Sequence, residues 1–527
     1  MAEETTSPDR REFIGGAITA AGVGAASVLS STASAKTPAA PPASGSGSAS
    51  SLAASGGGSF APLRAEITVR DCVVEGKIPD DLSGGFYATG PDPQYPLAPK
   101  NIVFDGEGHV RMFRIKNGRV DYRSRYAKTE RYVAQDKAGK ALMPIYRNPM
   151  MDDPSAKGLS RSTANTHVIN HQNMILALKE DSPPTALDLE TLETIDPVYT
   201  FGGELPREQP FTAHPKVCSH TGNIVGFGYE AKGFGSDVVA VFEIDKNTGK
   251  KVWGCEVKVP YVCLLHDFAV TENHIALFII PLAIDYEQMK QGGIHWSWDS
   301  TKKTHLGIFR RHGDGKDITW VEGPSRSGTH TMGAFEDNGT LYFDTEITPG
   351  NPFPFMPNKD GSPPNLPNSV SHLHRITARL DGQNKSYGIE KLYPLIAPLP
   401  KQDDRYATVP YRYGYMGCPD PNEPDRSKAG ACYARVDNST RKFVLWNAGP
   451  RVSLAEPVFA PKNVNAREGE GYLMGVAYHL DERNRSDLVI LDAEHVEEGP
   501  IATVRLPVPA SPQIHGFWVR EDQYPTA

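Results

Sequence analysis

Along most of the chain, apolar residues fall in short runs that alternate with polar ones and stop at an aspartate followed by turn formers. Thr185-Ala-Leu-Asp-Leu-Glu-Thr-Leu-Glu-Thr194 and Val241-Phe-Glu-Ile-Asp-Lys-Asn-Thr-Gly-Lys-Lys-Val252 are two such phrases. Ile376-Thr-Ala-Arg-Leu-Asp-Gly382 and Leu488-Val-Ile-Leu-Asp-Ala493 are two more. Alternation with a period of two marks half-buried strands. Asp ends each run because its carboxylate bonds the backbone just ahead of it. The phrase recurs at irregular spacing between residues 80 and 506, no long segment has a 3.6-residue period, and proline punctuates most windows. The expected fold is all-β, a β-propeller in which each strand–Asp–turn–strand hairpin belongs to a blade. A pair of β-sandwiches is the alternative. No strong boundary interrupts the pattern, so residues 60–527 are expected to form a single domain.

Composition adds limits. Gly 49 and Pro 44 among 527 residues suit short strands and turns better than helical bundles. With 39% hydrophobic and 22% charged residues the chain can build a sizeable core. A net charge of -8 argues against a nucleic-acid partner. No apolar run approaches the roughly 18 residues of a membrane span. Six cysteines without a C-x-x-C make neither a disulfide scaffold nor a redox motif. The first residues look like targeting. Arg10-Arg11 precede Glu12-Phe13-Ile14-Gly15-Gly16, then a weakly apolar Gly/Ala stretch ends at Ala33-Ser34-Ala35. This resembles a twin-arginine export signal with an A-x-A cleavage site. Residues 1–35 are therefore expected to be a signal peptide handled by the twin-arginine translocase. Residues 36–59 are expected to be a flexible linker, and the mature protein periplasmic or secreted. In such a compartment Cys418 and Cys432 could pair or stay free.

Familiar catalytic signatures are absent: no G-x-S-x-G, no P-loop, no H-E-x-x-H and no Rossmann glycine run in residues 60–527. The chemistry falls to histidines. His214 sits in Phe211-Thr-Ala-His-Pro-Lys216 and His266 in Leu264-Leu-His-Asp-Phe268. His330 sits in Gly328-Thr-His-Thr-Met332 and His515 in Ile514-His-Gly-Phe-Trp518. Each adjoins apolar or aromatic residues at a strand boundary, and neutral imidazole is the commonest protein metal ligand. Their wide spacing suits ligands carried to one axis by different blades. His171, His220, His274, His372 and His374 fall near turns and are expected to be surface or structural residues.

These four settings resemble the metal-binding motifs of the carotenoid cleavage oxygenase family. Further matching blocks are Gly85-Phe-Tyr-Ala-Thr-Gly-Pro91, Phe104-Asp-Gly-Glu-Gly108, Ala164-Asn-Thr166 and Glu456-Pro-Val-Phe-Ala-Pro461. The resemblance implies a seven-bladed β-propeller with loops and a few short helices capping one face over a central iron. It implies one Fe(II) per chain on His214, His266, His330 and His515. Glu180 and Glu456 match glutamates that bond the outer nitrogens of such ligands, and Thr166 matches a threonine that crowds an open iron position. A third such glutamate precedes an Asp-Arg-Tyr run in the family. Here Pro398 stands at that place before Asp404-Arg-Tyr406, so His330 is expected to lack its carboxylate.

Within the family, Tyr146-Arg-Asn-Pro149 and the Lys179-Glu180 pair resemble the lignostilbene dioxygenase branch. The resemblance implies that Tyr146 and Lys179 grip the phenolic hydroxyl of a stilbene and act in catalysis, with Phe104 stacked on its ring. The expected activity is cleavage of a conjugated carbon–carbon double bond with O2 into two carbonyl products. The favoured substrates are 4-hydroxystilbenes or related phenylpropanoids. Apocarotenoid cleavage is the alternative on the same iron. A non-catalytic ligand-binding propeller is the alternative of a different class, supported by Pro398 alone.

Overall fold

In the computed structural model, residues 62–426, 428–480 and 485–525 are described. The expected export signal and linker lie outside these residues. Among the described residues, seven sheets of four or more strands and one two-stranded sheet make up the β-structure. Among the described residues only Glu130–Ala138 and Tyr286–Lys290 are α-helical. The seven larger sheets are the blades of a propeller.

The Asp phrases perform the expected turn chemistry. Asp188 Oδ1 accepts from the Thr191 amide at 2.7 Å, and Asp245 Oδ1 from the Thr248 amide at 2.7 Å. Asp381 and Asp492 do the same for Gln383 and Glu494, at 3.0 and 2.8 Å. Burial follows position within a blade. Outer strands such as Lys251–Lys258 are largely open to solvent. Inner strands such as Gly84–Pro91 and Ile224–Gly228 are buried at every residue, because neighbouring blades cover both faces.

Two blades are completed by distant parts of the chain. His515–Arg520 pairs antiparallel with Gly84–Pro91, with Thr89 opposite His515. Val73–Gly76 adds an outer strand to Pro500–Arg505, with Val73 opposite Arg505. These two clasps close the ring. Cys418 and Cys432 stand opposite each other on paired strands, both buried and both free thiols.

The innermost strand of each blade starts near the axis, and the starts form a ring of seven positions. In blade order they hold His515, His167, His214, His266, His330, Lys401 and Glu456, each within two residues of the strand start. No helix among the described residues is long and apolar enough to cross a membrane.

Candidate metal centre

Four of those seven positions converge. One ring nitrogen from each of His214, His266, His330 and His515 lies within 4.8 Å of the others. His266 Nε2 is 3.0 Å from His214 Nε2 and 3.1 Å from His330 Nε2. His515 is fully buried, and its Nε2 has no hydrogen-bond partner.

The outer nitrogens explain why the inner ones point together. His515 Nδ1 donates to Glu456 Oε1 at 2.8 Å, and the other Glu456 oxygen accepts from the Gly516 amide at 3.0 Å. His266 Nδ1 donates to Glu180 Oε1. His330 Nδ1 donates to Glu346 Oε1 at 2.9 Å. His214 Nδ1 lies 4.0 Å from Asp267 Oδ2. A proton fixed on Nδ1 leaves a lone pair on Nε2. Lone pairs at these separations repel unless a cation lies between them. Burial holds His214 and His515 well below the ordinary imidazole value, which favours the neutral form a metal needs. Burial also disfavours charge on His330, but Glu346 outweighs it and raises that group. Burial works against a charged Glu180, yet the His266 pair wins and brings it down to about 2. Four converging imidazoles, three of them with the outer nitrogen bonded to a carboxylate, fit a borderline divalent metal.

Glu346 corrects the expectation at Pro398. The carboxylate on His330 comes from the hairpin of its own blade, not from the segment before Asp404. Thr331 pairs with Thr345, so the next residue along, Glu346, reaches His330, and its amide donates to the His330 carbonyl at 3.0 Å. Thr329 Oγ1 also donates to Glu346. Glu346 ends an alternating strand, and only the pairing register singles it out. His167 carries no family motif and is one of the twelve histidines expected to be structural, although it directly follows Thr166. It is buried, its ring centroid is 5.3 Å from that of His515, and its Nδ1 is 2.8 Å from the Ala213 carbonyl.

Two cavities meet at the histidines. One has a mixed lining with several charged groups, and includes His167, Lys216, Asp267, Lys401 and Asp404. The other is apolar and takes in His266, His330, Phe104, Tyr146, Thr166 and Lys179. Pro398 forms part of its wall. Lys179 Nζ lies 5.0 Å from the centre of the Tyr146 ring, and both residues are buried. Among the described residues Lys179 has no ion-pair partner, and burial pushes its ammonium below the ordinary lysine value. Burial drives the Tyr146 phenol well above its usual range. Phe104 meets Phe355 edge-on at 5.0 Å. Thr166 Oγ1 donates to Asn165 Oδ1 at 3.0 Å.

Arg147 braces this wall. Its backbone is left-handed at φ 51, and its guanidinium donates to Glu230 at 2.6 Å and lies 4.9 Å over the Tyr229 ring. The Tyr229 hydroxyl donates to Glu180 Oε2 at 3.4 Å. The wall that carries Tyr146 is thus tied to the carboxylate that orients His266. Backbone strain of this kind persists where surrounding structure over-determines it, often at functional sites.

A propeller whose axis carries four converging imidazoles, three of them bonded to carboxylates, beside an apolar cavity has the makings of a metal-dependent enzyme. Residues 60–520 match the profile of the retinal pigment epithelial membrane protein (RPE65) family. The chain belongs to this family, that of the carotenoid cleavage oxygenases, which are non-haem iron enzymes. It is 37% identical over 483 residues to a lignostilbene-alpha,beta-dioxygenase isozyme III from Sphingomonas paucimobilis, covering 89% of this chain and 98% of that one. An isoeugenol monooxygenase from Pseudomonas nitroreducens is 36% identical over 468 residues, covering 88% and 97%. The crystal structure of a Pseudomonas brassicacearum lignostilbene dioxygenase superposes with a TM-score of 0.83 at 36% identity, over 87% of this chain and 96% of that one.

Proposed function

We propose that the protein is an Fe(II)-dependent dioxygenase that splits the conjugated double bond of a 4-hydroxyphenyl alkene, of the stilbene or phenylpropanoid class. The relatives named for lignostilbene and isoeugenol support this class. The observation that carries it is Lys179, a buried cation without an ion-pair partner, set beside Tyr146 in the cavity that holds His266 and His330. Burying a charge without a partner is costly, so an acidic phenol is its natural counterpart. A non-catalytic propeller had only Pro398 in its favour, and Glu346 removes that support.

Iron held by the four imidazoles supplies the dioxygen chemistry. The chain's own residues prepare the alkene. The substrate's phenol oxygen docks between Lys179 Nζ and the Tyr146 hydroxyl. Tyr146 stays protonated and donates, while Lys179 favours the phenolate. A phenolate pushes electron density through the ring into the conjugated double bond and readies it for an oxidant. Phe104, Phe353 and Met356 keep the surroundings dry. An alkene and O2 give two carbonyl fragments with both oxygen atoms retained, so no net proton and no outside electrons are needed.

The test compares kcat/KM for 4-hydroxystilbene and its 4-methoxy analogue in wild type, Lys179→Ala and Tyr146→Phe. A site built around a hydroxyl can reject the analogue lacking it by roughly 10⁴-fold, and both variants should lose most of that preference. Equal turnover of the two by wild type overturns the phenol reading and leaves apocarotenoids as the substrate class. The proposed location is the periplasm or beyond, reached by the twin-arginine route. Arg10→Lys with Arg11→Lys should strand the precursor in the cytoplasm, and unchanged export would overturn the route.

A further inference from the structure

We propose that Gln513 determines specificity: its side-chain carbonyl accepts a hydrogen bond from a donor group on the end of the substrate remote from Lys179 and Tyr146. The proposal rests on the phenylalkene reading above. It narrows that reading to substrates with a hydroxyl at both ends.

Gln513 is 4% exposed and lines the apolar cavity. Its amide has a fixed orientation. Nε2 donates to the Glu456 backbone carbonyl at 3.2 Å. The same nitrogen packs over Gly516, where an added Cβ would lie 3.2 Å from it. Reversing the amide would set two carbonyl oxygens against each other. Oε1 is therefore left as a buried acceptor, and it has no partner. Buried polar atoms are almost always paired, and an exception calls for a reason. A substrate donor supplies one.

Its placement says which end of the substrate it would meet. Lys179 adjoins Glu180, which holds His266; Gln513 is bonded to Glu456, which holds His515. Among the four ligands, His266 and His515 are the pair farthest apart. Their ring centroids are 6.3 Å apart, while the other pairs span 4.4 to 5.4 Å. The two polar groups are thus linked, through Glu180 and Glu456, to the two histidines that stand farthest apart in the cluster. An alkene anchored by its phenol at Lys179, with its double bond at the metal, extends its other substituent toward Gln513.

The acceptor is also held rigidly. The Tyr478 hydroxyl donates to the Ser511 carbonyl at 3.1 Å, and the Ile514 amide donates to the Thr89 carbonyl at 2.8 Å. A carbonyl preset in this way loses little freedom when it binds. It accepts from a hydroxyl and repels a carboxylate or an ether oxygen. The class selected is a 4-hydroxyaryl alkene with a hydroxyl on its second ring or side chain.

The experiment uses the iron-loaded full chain, as wild type and as Gln513→Met. Its substrates are 4-hydroxystilbene and a panel carrying one further hydroxyl, or one methoxy group, at each position of the second ring. Iron per chain is measured alongside. Wild type should favour at least one second-ring hydroxyl by about tenfold in kcat/KM, mainly through KM, the value of one hydrogen bond in a dry site. Methylating that hydroxyl should remove the preference. In Gln513→Met the ratio between the two substrates should fall to about one, with iron per chain near that of wild type. No preference in wild type for any second-ring hydroxyl overturns the role of Gln513, as does a full preference in Gln513→Met. If the Met variant loses iron, the methoxy series on wild type decides by itself. Failure of wild type to cleave any stilbene overturns the phenylalkene reading, and this inference with it.

Discussion

His330 shows how much one side chain decides at this centre. Its outer nitrogen is already taken by Glu346 at 2.9 Å, so Glu346→Gln should lower iron affinity or activity by about 10–100-fold. Iron content after dialysis against a graded chelator reads this directly. Pro398→Glu should bring no gain, because the partner it would replace is present and Pro398 sits in the apolar wall. Tighter iron binding in that variant would contradict the assignment of Glu346. Lys179 presents the opposite case: on the proposed function, its buried ammonium weakens the fold in order to meet a phenol. Lys179→Met should stabilise the fold by about 1–3 kcal/mol in thermal melts near neutral pH and abolish the preference for phenols. The sign follows from burial. The folded lysine binds its proton more weakly than the unfolded one, so the penalty is absent above the ordinary value of 10.5 and grows as pH falls toward the folded value. The advantage of the Met variant should therefore shrink in melts at alkaline pH.

Among the elements, the clasp between Gly84–Pro91 and His515–Arg520 carries the most consequence, because it both closes a blade and delivers a ligand. Gly90 makes the close approach possible: a Cβ there would lie 1.8 Å from the Pro512 carbonyl oxygen. Neither backbone can retreat without moving His515. Gly90→Ala should destabilise the protein by about 1–3 kcal/mol and lower its iron content, both measurable on one preparation. Normal iron content in a destabilised variant would mean that the clasp can shift without moving the ligand. The hairpin of the fifth blade works differently. It supplies His330 and its carboxylate from paired strands, so register alone sets their geometry.

For the whole molecule, a metal held by histidines from four blades would act as a cross-link over the axis. Whatever binds the folded state alone stabilises it in proportion to its saturation. Iron at about 100 times its dissociation constant should add roughly 2.7 kcal/mol. Stripping the metal should lower Tm, and adding Fe(II) should restore it. His515→Ala should melt lower and lose most of that response. A Tm indifferent to metal in wild type would mean that the four histidines are not bridged by it.

The sequence by itself pointed to a propeller, over a pair of β-sandwiches, through alternating strands that end at a turn-forming Asp. It singled out four histidines by their apolar settings at strand boundaries, and the family resemblance of those settings made them the expected ligands. It also placed Tyr146, Lys179, Phe104, Thr166, Glu180 and Glu456 near the site, through motifs that are contiguous in the chain. What only the tertiary structure decided are relations between blades. Seven equivalent strand starts surround the axis, and nothing local tells why His167 lies outside the cluster of four. The ring's geometry does, by engaging His167 with the Ala213 carbonyl. The partner of His330 is a register fact, since pairing Thr331 with Thr345 brings Glu346 to the histidine while Pro398 faces the cavity. Gln513 looks like an ordinary polar residue until folding commits its amide nitrogen to Glu456 and leaves its carbonyl buried without a partner. Local patterning fixes which elements form; only closure of the ring fixes which of their side chains meet.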